Sequence, residues 1–248
     1  MPVGFEVFNV NGVKVIDTQS PCLALAQKTA VTAWTSTFGD LNSVQTISVS
    51  YVGSANSTPV PVVYANPSIH SNGIIGIISS SRSGNTWTYL LGIAYPEFTT
   101  PPSPNGSVFL LIYDRPLVVS GSSGRGIEVY DASGLLIFAG PISPTNGAHL
   151  KPVGLAGATL PSGPKYAAIG SYLRVENIYD YSENTDQTWT LSIRENVDGC
   201  NIQSTNIQAT GSILTASYIN LESGGGSSST TFYGIIQDPV VANVTGTV

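Results

Sequence analysis

Residues 44–52, V-Q-T-I-S-V-S-Y-V, carry apolar and polar side chains in alternation, and this stretch decides the fold class. Successive side chains of a β-strand point to opposite faces of the sheet, so the alternation predicts a strand with one face in a core. Other segments rich in β-branched and aromatic residues are predicted to be strands on the same grounds. They are 86–94, 107–113, 169–175, 188–194 and 230–236. Helical periodicity is almost absent, and 23–29 is the one candidate for a helical turn.

Turn-forming residues separate these predicted strands. Ser, Asn, Asp and Gly tolerate the backbone angles of tight turns, and they cluster between the apolar segments. The clusters lie at 80–85, 182–186, 197–199 and 224–229. The proline-rich segment 99–106 cannot join a hydrogen-bonded ladder and is predicted to be an extended surface loop. The spacing predicts an all-β fold of antiparallel sandwich- or barrel-like modules, with little or no helix.

A short segment occurs twice in the chain. Residues 4–13, G-F-E-V-F-N-V-N-G-V, return as 126–135, G-I-E-V-Y-D-A-S-G-L, which is 122 residues later (126 − 4). Each copy predicts a hairpin with a turn of Asx–Gly type. The Ser/Gly-rich segment 120–126 precedes the second copy. We therefore expect two β-modules, 1–120 and 121–248, and a single domain with a long loop at 120–126 remains the alternative.

Composition excludes some classes of partner. Hydrophobic residues make up 42% of the chain, enough to bury a core, whereas charged residues make up only 10%, against about 25% in an ordinary soluble domain. A surface with so few charges suits a protein packed against partners, and a secreted β-protein is the alternative. The net charge is −6 and the nine Lys and Arg residues are scattered, so no nucleic-acid partner is predicted.

Targeting signals and cysteines give further expectations. The first residues lack the basic and apolar regions of a signal peptide, so we expect assembly in a cytoplasm. The apolar runs are too short to predict a membrane span. Cys22 and Cys200 are expected to be structural thiols, with a disulfide between them as the alternative.

Motifs for catalysis or for cofactor and metal binding are missing. His70 and His149 have no metal-ligand spacing around them, and no G-x-S-x-G elbow or phosphate-binding loop is present. The sequence thus predicts no catalytic, cofactor-binding or metal-binding residue, and a protein that is not an enzyme. A Ser-His-Asp triad is defined by geometry and stays open.

The most acidic neighbourhood, 176–186, is interpreted as a solvated turn. Its alternative is catalytic: Asp180 and Glu183 would be the acid and base of a hydrolase acting on polysaccharide. Tyr179 and Tyr181 lie in the same segment and are candidate contacts for a ligand or receptor. Strand alternation would place both tyrosines on one side, so burial in the core is an equal alternative.

The three tryptophans admit two interpretations. Their rings could stack on sugars, but the flanking residues favour a place in the core. They are Trp34, Trp87 and Trp189.

The repeated motif, G-[FI]-E-V-[FY]-[ND]-x-x-G at Gly4 and Gly126, resembles a motif of small structural proteins of tailed bacteriophages. Asp17–Thr18 and the stretch I-Y-D-R-P at 112–116 resemble the same family. Such proteins are associated with the tail tip or baseplate, and the resemblance implies no catalytic residues. It covers only these short segments.

The resemblance implies a non-enzymatic structural protein of the virion tail, at the tail tip, baseplate or fibre attachment point, without a cofactor. Its partners would be other virion proteins and further copies of itself, as a trimer or ring on the tail axis. One alternative is an adhesin-like module that binds a host glycan or pilus through the Tyr179–Trp189 region. A polysaccharide hydrolase and a capsid decoration protein are further alternatives.

Overall fold

The structure is a computed structural model of the chain. It describes a set of segments that together include most of the sequence. They are residues 6–8, 14–17, 23–95, 102–115, 127–130, 136–140, 152–155, 157–183, 189–221, 228–233, 240–245 and 247–248.

Within these segments nearly all regular structure is β-strand, and the one helix is a single turn, α1 (Pro67–His70). The strands are β1 (Glu6–Phe8), β2 (Lys14–Asp17), β3 (Ala24–Val31), β4 (Ser36–Phe38), β5 (Val44–Val52), β6 (Val60–Ala65), β7 (Ile74–Ser83), β8 (Thr86–Ala94), β9 (Val108–Asp114), β10 (Ile127–Tyr130), β11 (Leu136–Gly140), β12 (Pro152–Leu155), β13 (Tyr166–Ile169), β14 (Arg174–Glu183), β15 (Trp189–Ile202), β16 (Ile207–Leu221), β17 (Ser229–Tyr233) and β18 (Val240–Asn243).

Two large antiparallel sheets contain most of these strands. The first has the order β12-β18-β13-β6-β9-β3, and the second β17-β14-β15-β7-β8-β5-β4, with β16 paired to β15. The all-β, sandwich-like prediction is confirmed. The decisive stretch is β5, which pairs with β8 along its whole length, from Val44–Ala94 to Val52–Thr86.

The main hydrophobic core takes residues from both sheets, as a sandwich requires. Every second side chain of β5 and β8 points into it, because successive side chains alternate between faces. Fully buried members include Val63, Leu91, Ile93, Leu110 and Ile112. Two smaller clusters lie on the outer faces, one around Val44 and Val197 and one around Val62 and Tyr113.

Strands from both sides of residues 120–126 share the two sheets. In the first sheet β13 pairs with β6 through Ala168–Val63, and in the second β15 pairs with β7 through Cys200–Ile75. Segment 120–126 itself lies outside the described residues. Hydrogen bonds and the main core therefore join described residues of both halves, 1–120 and 121–248.

The two copies of the repeated segment both form hairpins, as predicted. β1 pairs with β2, and β10 with β11, each as a two-stranded antiparallel sheet. The copies also share their register: a shift at Val7/Phe8 in the first corresponds to one at Val129/Tyr130 in the second. The repeat is therefore structural, including the position of the irregularity.

Three local predictions were wrong. Segment 23–29 lies in strand β3 and not in a helical turn, because β9 supplies a full ladder of partners. The predicted turn at 197–199 lies inside β15, which has strands on both sides there. The predicted strand 169–175 is interrupted between β13 and β14, where Gly170 has a φ of 63°.

The helix α1 was not predicted. The side chain of Asn66 accepts a hydrogen bond from Ser68 N at 3.0 Å, and Pro67 occupies the first helical turn. Both residues favour the start of a helix: the Asn66 side chain accepts a hydrogen bond from a free backbone N–H, and proline has no N–H group to satisfy. With one turn only, no apolar periodicity could reveal it.

Candidate functional site

Strands β14–β17 form a part of the second sheet that we call the arm. β14 pairs with β15 over ten residues, β16 flanks the other side of β15, and β17 flanks β14. Among the described strands, the arm pairs with the rest of the sheet only through Cys200–Ile75. None of the residues 178–183 and 189–194 belongs to a hydrophobic core cluster. These six residues of β15 extend about 20 Å at the usual rise of a strand.

A close backbone contact joins the arm to the sandwich. Residues 171–173, which lead into β14, run beside Ile77 of β7. Ile77 N donates to Ser171 O at 2.8 Å and Leu173 N donates to Ile77 O at 3.0 Å. The neighbouring Gly76 leaves space for this segment, since a Cβ there would lie 2.7 Å from the Tyr172 carbonyl carbon.

A buried carboxylate forms a second connection. Glu195 of β15 is fully buried and accepts hydrogen bonds from Leu41 N at 2.9 Å, from Ser43 N at 3.1 Å and from the Ser43 hydroxyl. These donors belong to the turn between β4 and β5. A buried carboxylate with several donors is a strong tether, because its loss would leave those donors unsatisfied.

Glu195 was missed in the sequence, although a signal was present. In I-R-E-N-V, residues 193–197, Glu195 occupies the position between Ile193 and Val197 on the same strand face. A charged residue at an inward position of a strand indicates a buried partner. Asn177, directly opposite Glu195 on β14, is buried as well.

Beyond Glu195, one face of β14 and β15 carries mainly aromatic and aliphatic side chains. Tyr179 lies opposite Ile193 and Tyr181 lies opposite Leu191, and all four side chains are half-buried. Trp189 continues the same face at the end of β15. The structure therefore places both predicted contact tyrosines on one side, outside the main core, and next to aliphatic residues.

The other face of the arm carries two ion pairs, together with Ile178 and the exposed Phe232 of β17. Arg174 forms an ion pair with Asp198 at 2.6 Å, and Arg194 forms one with Asp180. The Asn196 amide donates to Glu176 at 3.2 Å. These groups are partly exposed, so their ion pairs and hydrogen bonds add little to the free energy of unfolding. Each of these charged or polar groups nevertheless has a partner on the same face. The two faces of β14 and β15 therefore differ: one carries mainly aromatic and aliphatic side chains, and the other carries the ion pairs.

Segment 176–183 is strand and not the predicted solvated turn, because β15 and β17 pair with it on both sides. This also decides the geometry of the carboxylates. Asp180 and Glu183 are three residues apart in β14, so their side chains point to opposite faces. Asp180 is engaged by Arg194, and Glu183 is exposed. The structure does not bring them together as an acid–base pair; Asp186 lies outside the described residues.

His70 approaches a serine, as a catalytic dyad would require. Its Nε2 lies 2.8 Å from Ser107 Oγ, and its Nδ1 contacts the Tyr95 hydroxyl. However, Ser107 Oγ donates its proton to Pro104 O at 3.0 Å, and both His70 and Ser107 are at most 2% exposed. A buried hydroxyl that donates to a carbonyl is not an available nucleophile. His149 lies outside the described residues.

The stretch I-Y-D-R-P contributes a structural carboxylate. Asp114 is buried and accepts from the Tyr51 hydroxyl at 2.8 Å and from Thr58 N at 3.2 Å. It thereby connects β9 to β5 and to the loop before β6. Burial, followed by the bond to Asp114, raises the pKa of the Tyr51 hydroxyl.

The remaining candidate residues have structural positions. Cys200 has a free, buried thiol whose pKa burial raises to about 12, so it stays protonated at neutral pH; Cys22 lies outside the described residues. Trp34 and Trp87 are partly buried and pack on the main core. The part of the chain that the structure describes contains no cluster of three or more His, Cys, Asp or Glu suited to a metal.

Comparison of the chain with models of protein families, with curated proteins and with solved structures finds no match. In the described segments no helix has the length and apolar character to cross a membrane. The function must therefore be inferred from the geometry of the chain, in which the arm is the most distinctive surface.

Proposed function

We propose that this chain is a non-enzymatic structural protein of a tailed-bacteriophage virion, located at the tail tip, baseplate or fibre attachment point. It acts by assembling with other copies of itself and with neighbouring virion proteins. The observation that carries the proposal is the arm, in which Tyr179, Tyr181, Leu191 and Ile193 continue the face of the outer cluster around Val44 and Val197 past its last members. The repeated motif and its resemblance to phage tail proteins support the location.

The apolar face of the arm needs cover from another surface. An antiparallel sheet is stable in water with one polar face, but its other face is normally packed. In the described residues Tyr179, Tyr181, Leu191 and Ile193 stay half-buried and belong to no core cluster. Aromatic and aliphatic residues of this kind are enriched where protein interfaces form.

In this proposal the apolar face of each arm packs against the arms of neighbouring copies of the chain. Closed rotational symmetry brings the same patch of each copy to a common axis, and a trimer or ring matches the axis of a tail. The opposite face of each arm, with its ion pairs between Arg174 and Asp198 and between Arg194 and Asp180, would stay in water. Charged residues make up only 10% of the whole chain, which reduces repulsion between packed copies.

Removal of both tyrosine rings tests this assembly. We expect the double variant Tyr179→Ala, Tyr181→Ala to run as a single chain of 25.9 kDa, whereas the wild type has a multiple of this mass. The reason is the loss of two aromatic contacts from the centre of the interface, each worth about 2 kcal/mol or more at a binding hot spot. Mass would be measured by light scattering over a range of concentrations.

Ser192→Ala is the matched control, because Ser192 lies on β15 between Leu191 and Ile193 but faces the opposite side. It should retain the wild-type mass. A wild type that is monomeric at every concentration, or a folded double variant with unchanged mass, would contradict the assignment of the arm.

A receptor-binding module remains the second candidate, favoured by the same tyrosine-bearing face. For the double variant, receptor binding predicts a normal assembled mass and normal incorporation of the chain into virions. Adsorption to host cells would be lost. The two functions are therefore separated by measuring mass and adsorption on the same protein.

A further inference from the structure

We propose that His70, Tyr95 and Ser107 form an acid-sensitive latch, which holds segment 66–73 against the turn at 104–107 at neutral pH and releases it in mild acid. This device is independent of the arm and goes beyond the proposed assembly function. It rests on the hydrogen-bond geometry around a buried imidazole.

The bonds around the ring specify one neutral tautomer. Ser107 Oγ has a single proton, which it donates to Pro104 O at 3.0 Å. The bond of 2.8 Å between His70 Nε2 and Ser107 Oγ must therefore use the proton of Nε2. Nδ1 is then unprotonated and accepts from the Tyr95 hydroxyl. In the neutral form, both ring nitrogens of His70 therefore have hydrogen-bond partners.

The latch joins three separate parts of the chain. His70 ends α1, Tyr95 follows β8, and Ser107 precedes β9. Asn66 N also donates to Ser107 O at 2.7 Å, so the same two segments meet through the backbone. Asn201 of β15 donates to Ser71 O at 2.6 Å and to Gly73 O at 2.9 Å, and these bonds do not titrate.

Protonation of Nδ1 would break this arrangement. The Tyr95 hydroxyl would lose its acceptor, and a positive charge would be enclosed with His70 at 2% and Tyr95 at 9% exposure. The groups that bond to the ring are the hydroxyls of Tyr95 and Ser107, both neutral at these pH values. Among the described residues no carboxylate or cation shifts the pKa of His70, and burial lowers it.

The sign of the effect follows from this lowered pKa. The released segment has an ordinary histidine, with a pKa of about 6.5, and binds a proton more readily than the latched state. The contribution of the latch is complete above about pH 6.5, and it is lost as the pH falls toward the lower pKa of the folded state. The expected window therefore begins near pH 6.5 and extends downward to the lowered pKa of the folded state.

Hydrogen exchange of the Asn66 and Ser107 amides measures the release directly. After correction for the intrinsic rate, we expect the opening equilibrium of the wild type to grow about tenfold between pH 7.5 and 5.5, the limit for uptake of one proton. His70→Gln retains a donor and an acceptor without titrating, so its opening should change less than threefold. His149→Gln removes the other histidine and should behave as the wild type.

Equal pH dependence in the wild type and in His70→Gln would overturn the latch, as would a pH dependence that disappears in His149→Gln. If His70→Gln fails to fold, ¹⁵N NMR of the wild-type imidazole gives the same decision. The latch requires the Nε2–H tautomer with no protonation above pH 6.5. An Nδ1–H tautomer, or an ordinary titration, would overturn it.

Discussion

Replacement of Glu195 by Gln should lower the free energy of unfolding by about 3 kcal/mol, since hydrogen bonds to a buried charged group contribute about 1.5–3 kcal/mol each. Glutamine keeps the shape but offers one acceptor oxygen in place of two. Its amide group would then face donors from Leu41 or Ser43, which the carboxylate now satisfies. For a chain of this length, the loss corresponds to a fall in melting temperature of about 6–12 °C.

Chemical and thermal unfolding would measure this loss, and exchange of the Leu41 and Ser43 amides would locate it. Glu176→Gln is the matched control, because this glutamate lies on the adjacent strand but is only partly buried and accepts a hydrogen bond from Asn196. It should cost less than about 0.5 kcal/mol. Equal effects of the two substitutions would show that Glu195 is not the tether of the arm.

Gly76→Ala should be similarly severe, with a loss of about 3 kcal/mol, the upper end of the cost of overpacking a tight site. A Cβ at this position would lie 2.7 Å from Tyr172 C, 2.8 Å from Leu173 N and 2.9 Å from Tyr172 O. All three are backbone atoms of the segment that leads into β14. They cannot move without breaking the hydrogen bonds of Ile77 with Ser171 and Leu173.

Gly92→Ala provides the comparison for Gly76. A Cβ at Gly92 would meet the Ile78 Cδ1 atom at 2.8 Å and the Val44 Cγ1 atom at 2.9 Å, which are ends of side chains that can shift. We expect a loss of about 1 kcal/mol for this variant. Unfolding midpoints of both variants test the argument, and a Gly76→Ala protein as stable as Gly92→Ala would refute it.

Local periodicity predicted the strands well where one face is packed. β5 and β8 match the predicted segments 44–52 and 86–94, because both alternate between the main core and the outer face. The repeated hairpins were also predictable, since in each copy of the sequence a polar segment ending in glycine separates two short apolar segments. These features depend on neighbours in sequence, which the pattern records.

Features set by distant partners were not predictable. The turn signal at 197–199 was overridden by strands on both sides of β15, which supply a complete ladder. The pairing of β13 with β6 and the contact between His70 and Ser107 join residues far apart in the chain. The candidate tyrosines were correctly placed on one face, but the sequence could not show that this face continues the outer cluster around Val44 and Val197.

The most direct test of the proposed function is the copy number of this chain in purified particles of the phage that encodes it. Quantitative mass spectrometry of extensively washed virions would supply the number. We predict a whole multiple of three copies per particle, as a trimer or a sixfold ring requires, and a large reduction for the Tyr179→Ala, Tyr181→Ala variant. Intact, infectious particles that lack the chain would contradict the proposal.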